Sequence, residues 1–162
     1  MTSIYDFIVI GAGISACTFA TLLNKKSSDV SILLVEHGRR IGGRATTRKS
    51  RKNKIREYDH GLPSINFSKH LSEDILQLVL PLINSKKLID ISKDILLIDE
   101  FGILSKAVKH DLIYRSSPLM VNFCEEIIDQ SINLKKINFS FQTLIKSIKR
   151  IDNLWNIKAN NG

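Results

Sequence analysis

An α/β domain built on a parallel sheet is what this chain of 162 residues predicts, on three observations. A largely apolar, β-branched run, Ile4-Tyr5-Asp6-Phe7-Ile8-Val9-Ile10, enters a glycine turn, Gly11-Ala12-Gly13-Ile14-Ser15-Ala16. A stretch rich in Ala, Leu and Phe follows, Ile14 to Lys26, and reads as a helix. A second apolar run, Val30 to Val35, then closes on an acid, Glu36. Continuous apolar strands alternating with a helix are characteristic of parallel sheets, whose strands are buried on both faces.

The order of glycines in the first turn is that of a dinucleotide fingerprint with alanine in its third place, which makes the expected fold Rossmann-type. Gly11 allows the tight turn out of the strand, Gly13 lets backbone approach a pyrophosphate, and Ala16 is small enough for close helix packing. Ile14 and Ser15 open the helix, whose unsatisfied N–H groups and positive dipole end would face the phosphates. Glu36 stands about 20 residues beyond the turn, where a carboxylate accepts hydrogen bonds from an adenosine ribose and favours a free 2′-hydroxyl. Taken alone, a glycine turn also suits any strand-to-helix junction. The strand before it, the helix after it and the acid at the end of the next strand favour a nucleotide.

A second glycine turn follows at once: Glu36-His37-Gly38-Arg39-Arg40-Ile41-Gly42-Gly43-Arg44-Ala45-Thr46-Thr47. This segment resembles that of the flavin amine oxidase superfamily, above all the small renalase-like FAD-dependent oxidoreductases, whose hallmark here is E-x-x-x-R-x-G-G-R followed by Thr or Ser. The resemblance implies FAD as cofactor. It implies that Glu36 and Arg40 hold the adenosine ribose region, that Gly42 and Gly43 bring backbone close to the cofactor, and that Arg44 lies by the pyrophosphate. A guanidinium offers paired donors to a diphosphate, and adjacent glycines permit contact without side-chain bulk.

Composition sets wider bounds. Hydrophobic content of 43% with 25% charged residues is that of an ordinary globular domain. Cys17 and Cys124 form no metal spacing; two thiols in a chain of this length suggest a reducing compartment and read as small buried hydrophobes. The apolar run Phe7 to Ala16 lacks the basic flank of a signal peptide, and no stretch has the length of a membrane helix, so a cytoplasmic protein is expected. The net charge of +8 is concentrated between Arg39 and Arg56, where Arg48, Lys49, Arg51, Lys52 and Lys54 occur without an acid. Nucleic-acid binding would account for such a run, but no aromatic residue is interleaved for base stacking. The alternative is that the early arginines serve the diphosphate and Arg48 to Lys54 form a solvated loop.

Beyond the loop, Ile55 to Gly61 alternates as a strand, and Asp59-His60-Gly61 fits the Asp-x-Gly that ends the corresponding strand in the resembled family, where the residues just beyond run past the flavin. His60 reads as a structural turn residue. Ser72 to Asn84 has helical apolar spacing with Ser72 as N-cap, and Pro81 is expected to kink the helix or end it early. Ile95 to Ile98 and Ile103 to Leu104 read as a hairpin around Asp99-Glu100-Phe101-Gly102. A further helix is predicted over Pro118 to Gln130 with Pro near its start. The related proteins usually have glycine where Leu119 stands, before Met120. Ile137 to Phe141, Thr143 to Ile151 and Leu154 to Ala159 read as strands, the last two joined at Asp152-Asn153; by the resemblance, backbone near Ile145 approaches the adenine.

The expectation is therefore a single FAD-binding Rossmann-like domain over residues 1–162, with residues 62–112 starting a substrate-side insertion and a β-hairpin addition near the end. The resemblance covers nearly the whole chain but only about the first half of the family. It implies a flavin oxidoreductase acting on a small amine or a reduced-nicotinamide-like substrate, a fragment of one, or half of a split enzyme completed by a C-terminal partner. A dinucleotide-binding protein without turnover is the alternative. The cofactor-binding set is Gly11, Gly13, Ile14, Ser15, Ala16, Glu36, Arg40, Gly42, Gly43, Arg44, Gly61 and Ile145. No catalytic residue, metal site or substrate is assigned.

Overall fold

The computed structural model describes residues 3–53, 55–67, 71–106 and 112–160. In chain order the strands are β1 (Phe7–Ile10), β2 (Ile32–Val35), β3 (Thr47–Lys49), β4 (Glu57–Asp59), β5 (Ile65–Phe67), β6 (Leu88–Asp90), β7 (Leu96–Ile98), β8 (Leu104–Lys106), β9 (Leu112–Ser116), β10 (Ile137–Ser140), β11 (Ile145–Ile151) and β12 (Leu154–Ala159). The α-helices are α1 (Ile14–Lys26), α2 (Glu73–Asn84) and α3 (Val121–Asp129). The chain divides into two compact units, Met1–Gly43 with Ile127–Gly162, and Arg44–Glu126.

The first unit is the expected parallel sheet. Its order is β1-β2-β10, with Phe7 opposite Ile32 and Ile137 opposite Ile32, so β2 is central. Ile32, Leu34 and Val35 are accordingly buried. Helix α1 covers exactly the predicted span and buries Cys17, Ala20, Thr21 and Asn24, a stripe at helical spacing whose small side chains allow close approach. The polar members of that stripe have partners: Thr21 Oγ1 donates to Ile127 O at 3.0 Å, while Asn24 accepts from Asn133 N at 2.9 Å and donates to Asn133 O at 3.2 Å. β11 and β12 form the expected hairpin, turned by Asp152 and Asn153 at φ of 47° and 64°, the conformation of a two-residue primed turn.

β1 differs from expectation in length and in burial. It begins at Phe7, not Ile4, because Asp6 and Ser31 are joined through side chains: the Asp6 carboxylate accepts from Ser31 N at 2.8 Å and from Ser31 Oγ at 2.6 Å, and Asp6 N donates to Ser31 Oγ at 3.0 Å. The hydroxyl and N–H of Ser31 hold the Asp6 carboxyl below its ordinary range. The clip is therefore complete above that range and is lost as the pH falls through the lowered value. Phe7 and Ile10 are exposed, not buried, because among the described residues β1 pairs with β2 alone.

The second unit is antiparallel. β5-β9-β6 forms a three-stranded sheet, and β3-β4 and β7-β8 are hairpins. Arg48 and Lys49, expected in a loop, lie in β3 opposite Tyr58 and Glu57. Helix α2 buries Leu78, Val79 and Leu82 and runs three residues past Pro81 to Asn84. Pro81 is exposed and in the last turn, where its missing N–H costs one bond to a carbonyl that water can reach. The hairpin expected at Asp99 to Gly102 is present, with Asp99 Oδ1 accepting from Phe101 N and Ile103 N. Cys17 and Cys124 are both buried.

Helix α3 starts at Val121, three residues later than Pro118 predicts, because side chains take up the preceding N–H groups. Asn122 Oδ1 accepts from Leu119 N at 3.1 Å, and Asp59 Oδ1 accepts from Met120 N at 2.9 Å. Asp59 also accepts from Thr47 Oγ1 at 2.7 Å. Its carboxylate thus joins β3, β4 and the start of α3. Asp59→Ala should cost about 1–3 kcal/mol in urea unfolding, and Asp59→Asn, which keeps an acceptor oxygen, should recover most of it. Equal losses in both variants would mean that the charge, not the acceptor, supports the helix start.

Candidate functional site

The candidate site grows from the ends of β1 and β2. Their last rung is Gly11 N donating to Val35 O at 2.7 Å, after which the chains leave the sheet side by side. Glu36, the next residue of β2's strand line, folds its carboxylate across the first glycine turn. Its Oε2 accepts from Ala12 N at 2.9 Å and its Oε1 from Gly38 N at 2.6 Å. Its backbone is equally committed: Glu36 N donates to Ser140 O at 2.9 Å, and Glu36 O accepts from Thr143 N at 3.0 Å.

The two glycine turns meet backbone to backbone. Gly42 N donates to Ala12 O at 2.8 Å, and Gly13 and Gly42 form an isolated parallel bridge. Gly43 has φ of +55°, and a Cβ there would stand 3.0 Å from Gly13 Cα, so only glycine suits both the conformation and the approach. Gly13 is different: a Cβ on it would meet protein atoms only at ordinary contact distances, the nearest Gly43 Cα at 3.8 Å. At Gly11 a Cβ would meet nothing within 4 Å. The protein itself leaves the space over Gly11 open, while Gly13 faces the backbone of Gly42 and Gly43.

Helix α1 opens onto the same turn. Its N-cap is Gly13, no side chain caps it, and its first turn holds no acid. The first intrahelical bond runs from Cys17 N to Gly13 O at 3.0 Å, which leaves the N–H groups of Ile14, Ser15 and Ala16 beyond the reach of that ladder. An uncapped helix start without acid is suited to an anion.

The structure therefore assembles Gly11, Gly13, Ile14, Ser15, Ala16, Glu36, Gly42 and Gly43 around one turn. Arg40 lies half-exposed in the same unit. Arg44 and Gly61 lie together in the second unit: Arg44 is exposed, Leu62 N donates to Arg44 O at 2.8 Å, and a Cβ on Gly61 would stand 2.5 Å from that oxygen. Ile145 opens β11 opposite Ala159, and the segment that reaches the turn is two residues earlier, where Gln142 N donates to Gly38 O at 2.8 Å beside the Thr143 bond. Ala12, Gly38, Gln142 and Thr143 are the residues that sequence reasoning overlooked. The first two sit inside the glycine motifs; nothing in the sequence singles out the others. Among the described residues no three His, Cys, Asp or Glu side chains gather as a metal site, and no helix is long and apolar enough to cross a membrane.

Comparison with known proteins agrees with this architecture. Residues 9–79 match the family model of the NAD(P)-binding Rossmann-like domain. The fold is Rossmann-type.

No curated protein sequence matches the chain. Among solved structures, a candidate protoporphyrinogen oxidase from Exiguobacterium sp. 255-15 is similar over 100% of this chain and 58% of its own, at 13% identity and a TM-score of 0.65. The tetracycline destructase Tet(51) is similar over 100% of this chain and 35% of its own, at 18% identity and a TM-score of 0.54. OTEMO, solved in complex with FAD and NADP, is similar over 100% of this chain and 24% of its own, at 18% identity and a TM-score of 0.50. The chain thus spans about a quarter to somewhat over half of these neighbours.

The two glycines of the contact separate folding from binding. Gly43→Ala should destabilise the protein by about 1–3 kcal/mol, read as a lower thermal midpoint. Gly13→Ala should cost less than about 1 kcal/mol, because the added methyl meets only ordinary contacts.

Proposed function

We propose that the chain is the dinucleotide-binding part of an FAD-dependent oxidoreductase of the amine oxidase or renalase-like type. The observation that carries this reading is the joined pair of glycine turns, with Glu36 at one end and the uncapped start of α1 at the other. The open space over Gly11 would admit a pyrophosphate, and the N–H groups of Ile14, Ser15 and Ala16 would donate to it. Glu36 would accept from the ribose hydroxyls, since each carboxylate oxygen holds a lone pair beyond the one given to Ala12 or Gly38. A 2′-phosphate beside that carboxylate would be repelled, which favours FAD over a phosphorylated nicotinamide cofactor. Arg40 and Arg44 would supply positive charge to the diphosphate. Bound FAD would supply the redox chemistry, accepting a hydride from a small amine or a reduced-nicotinamide-like donor. Residues 62–112 would begin the substrate side.

A second reading is a dinucleotide-binding fragment without turnover, or half of a split enzyme, since every residue the site assembles serves to bind and none is placed for chemistry. Both readings require the same ligand.

The test is the visible spectrum after incubation with FAD and desalting. Flavin bands should be retained by the parent protein and lost in Arg44→Ala and in Gly13→Ala, the latter with its far-ultraviolet circular dichroism unchanged. A folded protein that takes up no FAD would sink both readings. Bleaching of the bound flavin by an amine or NADH without oxygen would select the enzyme.

A further inference from the structure

We propose that the outer face of the β3-β4 hairpin is a binding surface for single-stranded nucleic acid. The cations between Arg39 and Arg56 have no aromatic residue among them in sequence, but the pairing of β3 with β4 brings one to them. Tyr58 stands opposite Arg48. The ladder runs on past both strands, with Ser50 N donating to Arg56 O at 2.8 Å and His60 N to Thr46 O at 2.9 Å. Strand alternation therefore puts Thr46, Arg48 and Ser50 on one face with Arg56, Tyr58 and His60.

That face turns away from α3. On the opposite one Thr47 is buried, and Asp59 beside it accepts from Thr47 Oγ1 and from Met120 N, so that side is the one packed on the start of the helix. Both acids of β4 belong to the packed side: Asp59 is committed there, and Glu57 pairs with Lys49 at 3.4 Å. The outer face is left without a carboxylate. Arg48, Arg56, Tyr58 and His60 are exposed on it. Among the described residues neither arginine has an acid partner, and the Tyr58 ring has no aromatic neighbour. Any further length of protein laid over this face would have to bring carboxylates to two guanidinium groups, so its chemistry calls for an anion in either case.

The side chains select the anion. Guanidinium and hydroxyl groups donate to phosphate oxygens, and a half-exposed tyrosine ring stacks a base of any kind. Arg48 directly across the ladder and Arg56 two residues along it flank that ring within about 7 Å, so phosphates on either side are met while a base lies on Tyr58. Only a single strand offers base faces free to stack. Beyond the last rung, Arg51 and Lys52 are exposed in a turn that its own groups hold: Asn53 N donates to Ser50 Oγ at 3.2 Å, and Asn53 Oδ1 accepts from Ile55 N at 3.1 Å. Ile55, 91% exposed, is in that turn, but the face itself carries no aliphatic side chain, as contact with a lipid bilayer would require. The inference is independent of the cofactor.

The test is the fluorescence anisotropy of a labelled oligothymidylate of about 20 nucleotides, which should bind with micromolar affinity at low salt. With four phosphates met by Arg48, Arg51, Lys52 and Arg56, affinity should fall about fiftyfold between about 50 and 200 mM salt. Replacing two of them, Arg48→Gln with Arg56→Gln, should weaken binding and reduce that fall to about sevenfold. Tyr58→Ala should weaken binding about tenfold with its salt dependence unchanged, while Tyr58→Phe keeps the ring and the affinity. Circular dichroism of each variant should match that of the parent, since all three side chains are exposed. No binding up to about 100 µM protein, equal affinity in Tyr58→Ala, or capture by phosphatidylserine vesicles in place of the oligonucleotide would overturn the proposal.

Discussion

The constraint on which the first unit depends is the engagement of Glu36. One residue uses both carboxylate oxygens and both backbone groups to tie the glycine turn after β1, the turn after β2 and the segment after β10 into one cluster. A part-buried carboxylate accepting two backbone N–H groups gains from charge-assisted bonds and leaves neither donor unpaired. Placed at the carboxyl ends of parallel strands, the cluster occupies the position where open α/β sheets bind ligands. The acid that closes β2 is thus the residue that shapes the candidate site.

The contact of Gly13 with Gly43 completes this arrangement. Backbone packed on backbone would put a Cβ at Gly43 only 3.0 Å from Gly13 Cα, while a Cβ on Gly11 would meet nothing within 4 Å. Two roles that the sequence writes with the same letter are physically distinct: one glycine serves the protein's own fold, the other leaves room for something outside it. The comparable device in the second unit is Asp59, whose carboxylate joins Thr47 and the N–H of Met120.

The state of β1 has a different cause. Its apolar, β-branched sequence is that of a strand buried on both sides, yet among the described residues only β2 adjoins it, and Phe7 and Ile10 are exposed. Edge position and central composition are in conflict, and the physics of edges favours a further strand.

The sequence by itself determined the strand, turn, helix and strand of the nucleotide unit, the β11-β12 hairpin and the helix over Ser72 to Asn84, because each rests on local periodicity and turn chemistry. It also pointed to the glycine turns, since tolerance of positive φ is a property of the single residue. Only the tertiary structure decided that β2 is central, that α3 starts at Val121, and that Thr143 reaches Glu36 and Gln142 reaches Gly38. Those outcomes come from hydrogen bonds between residues far apart in the chain, which no window of sequence records.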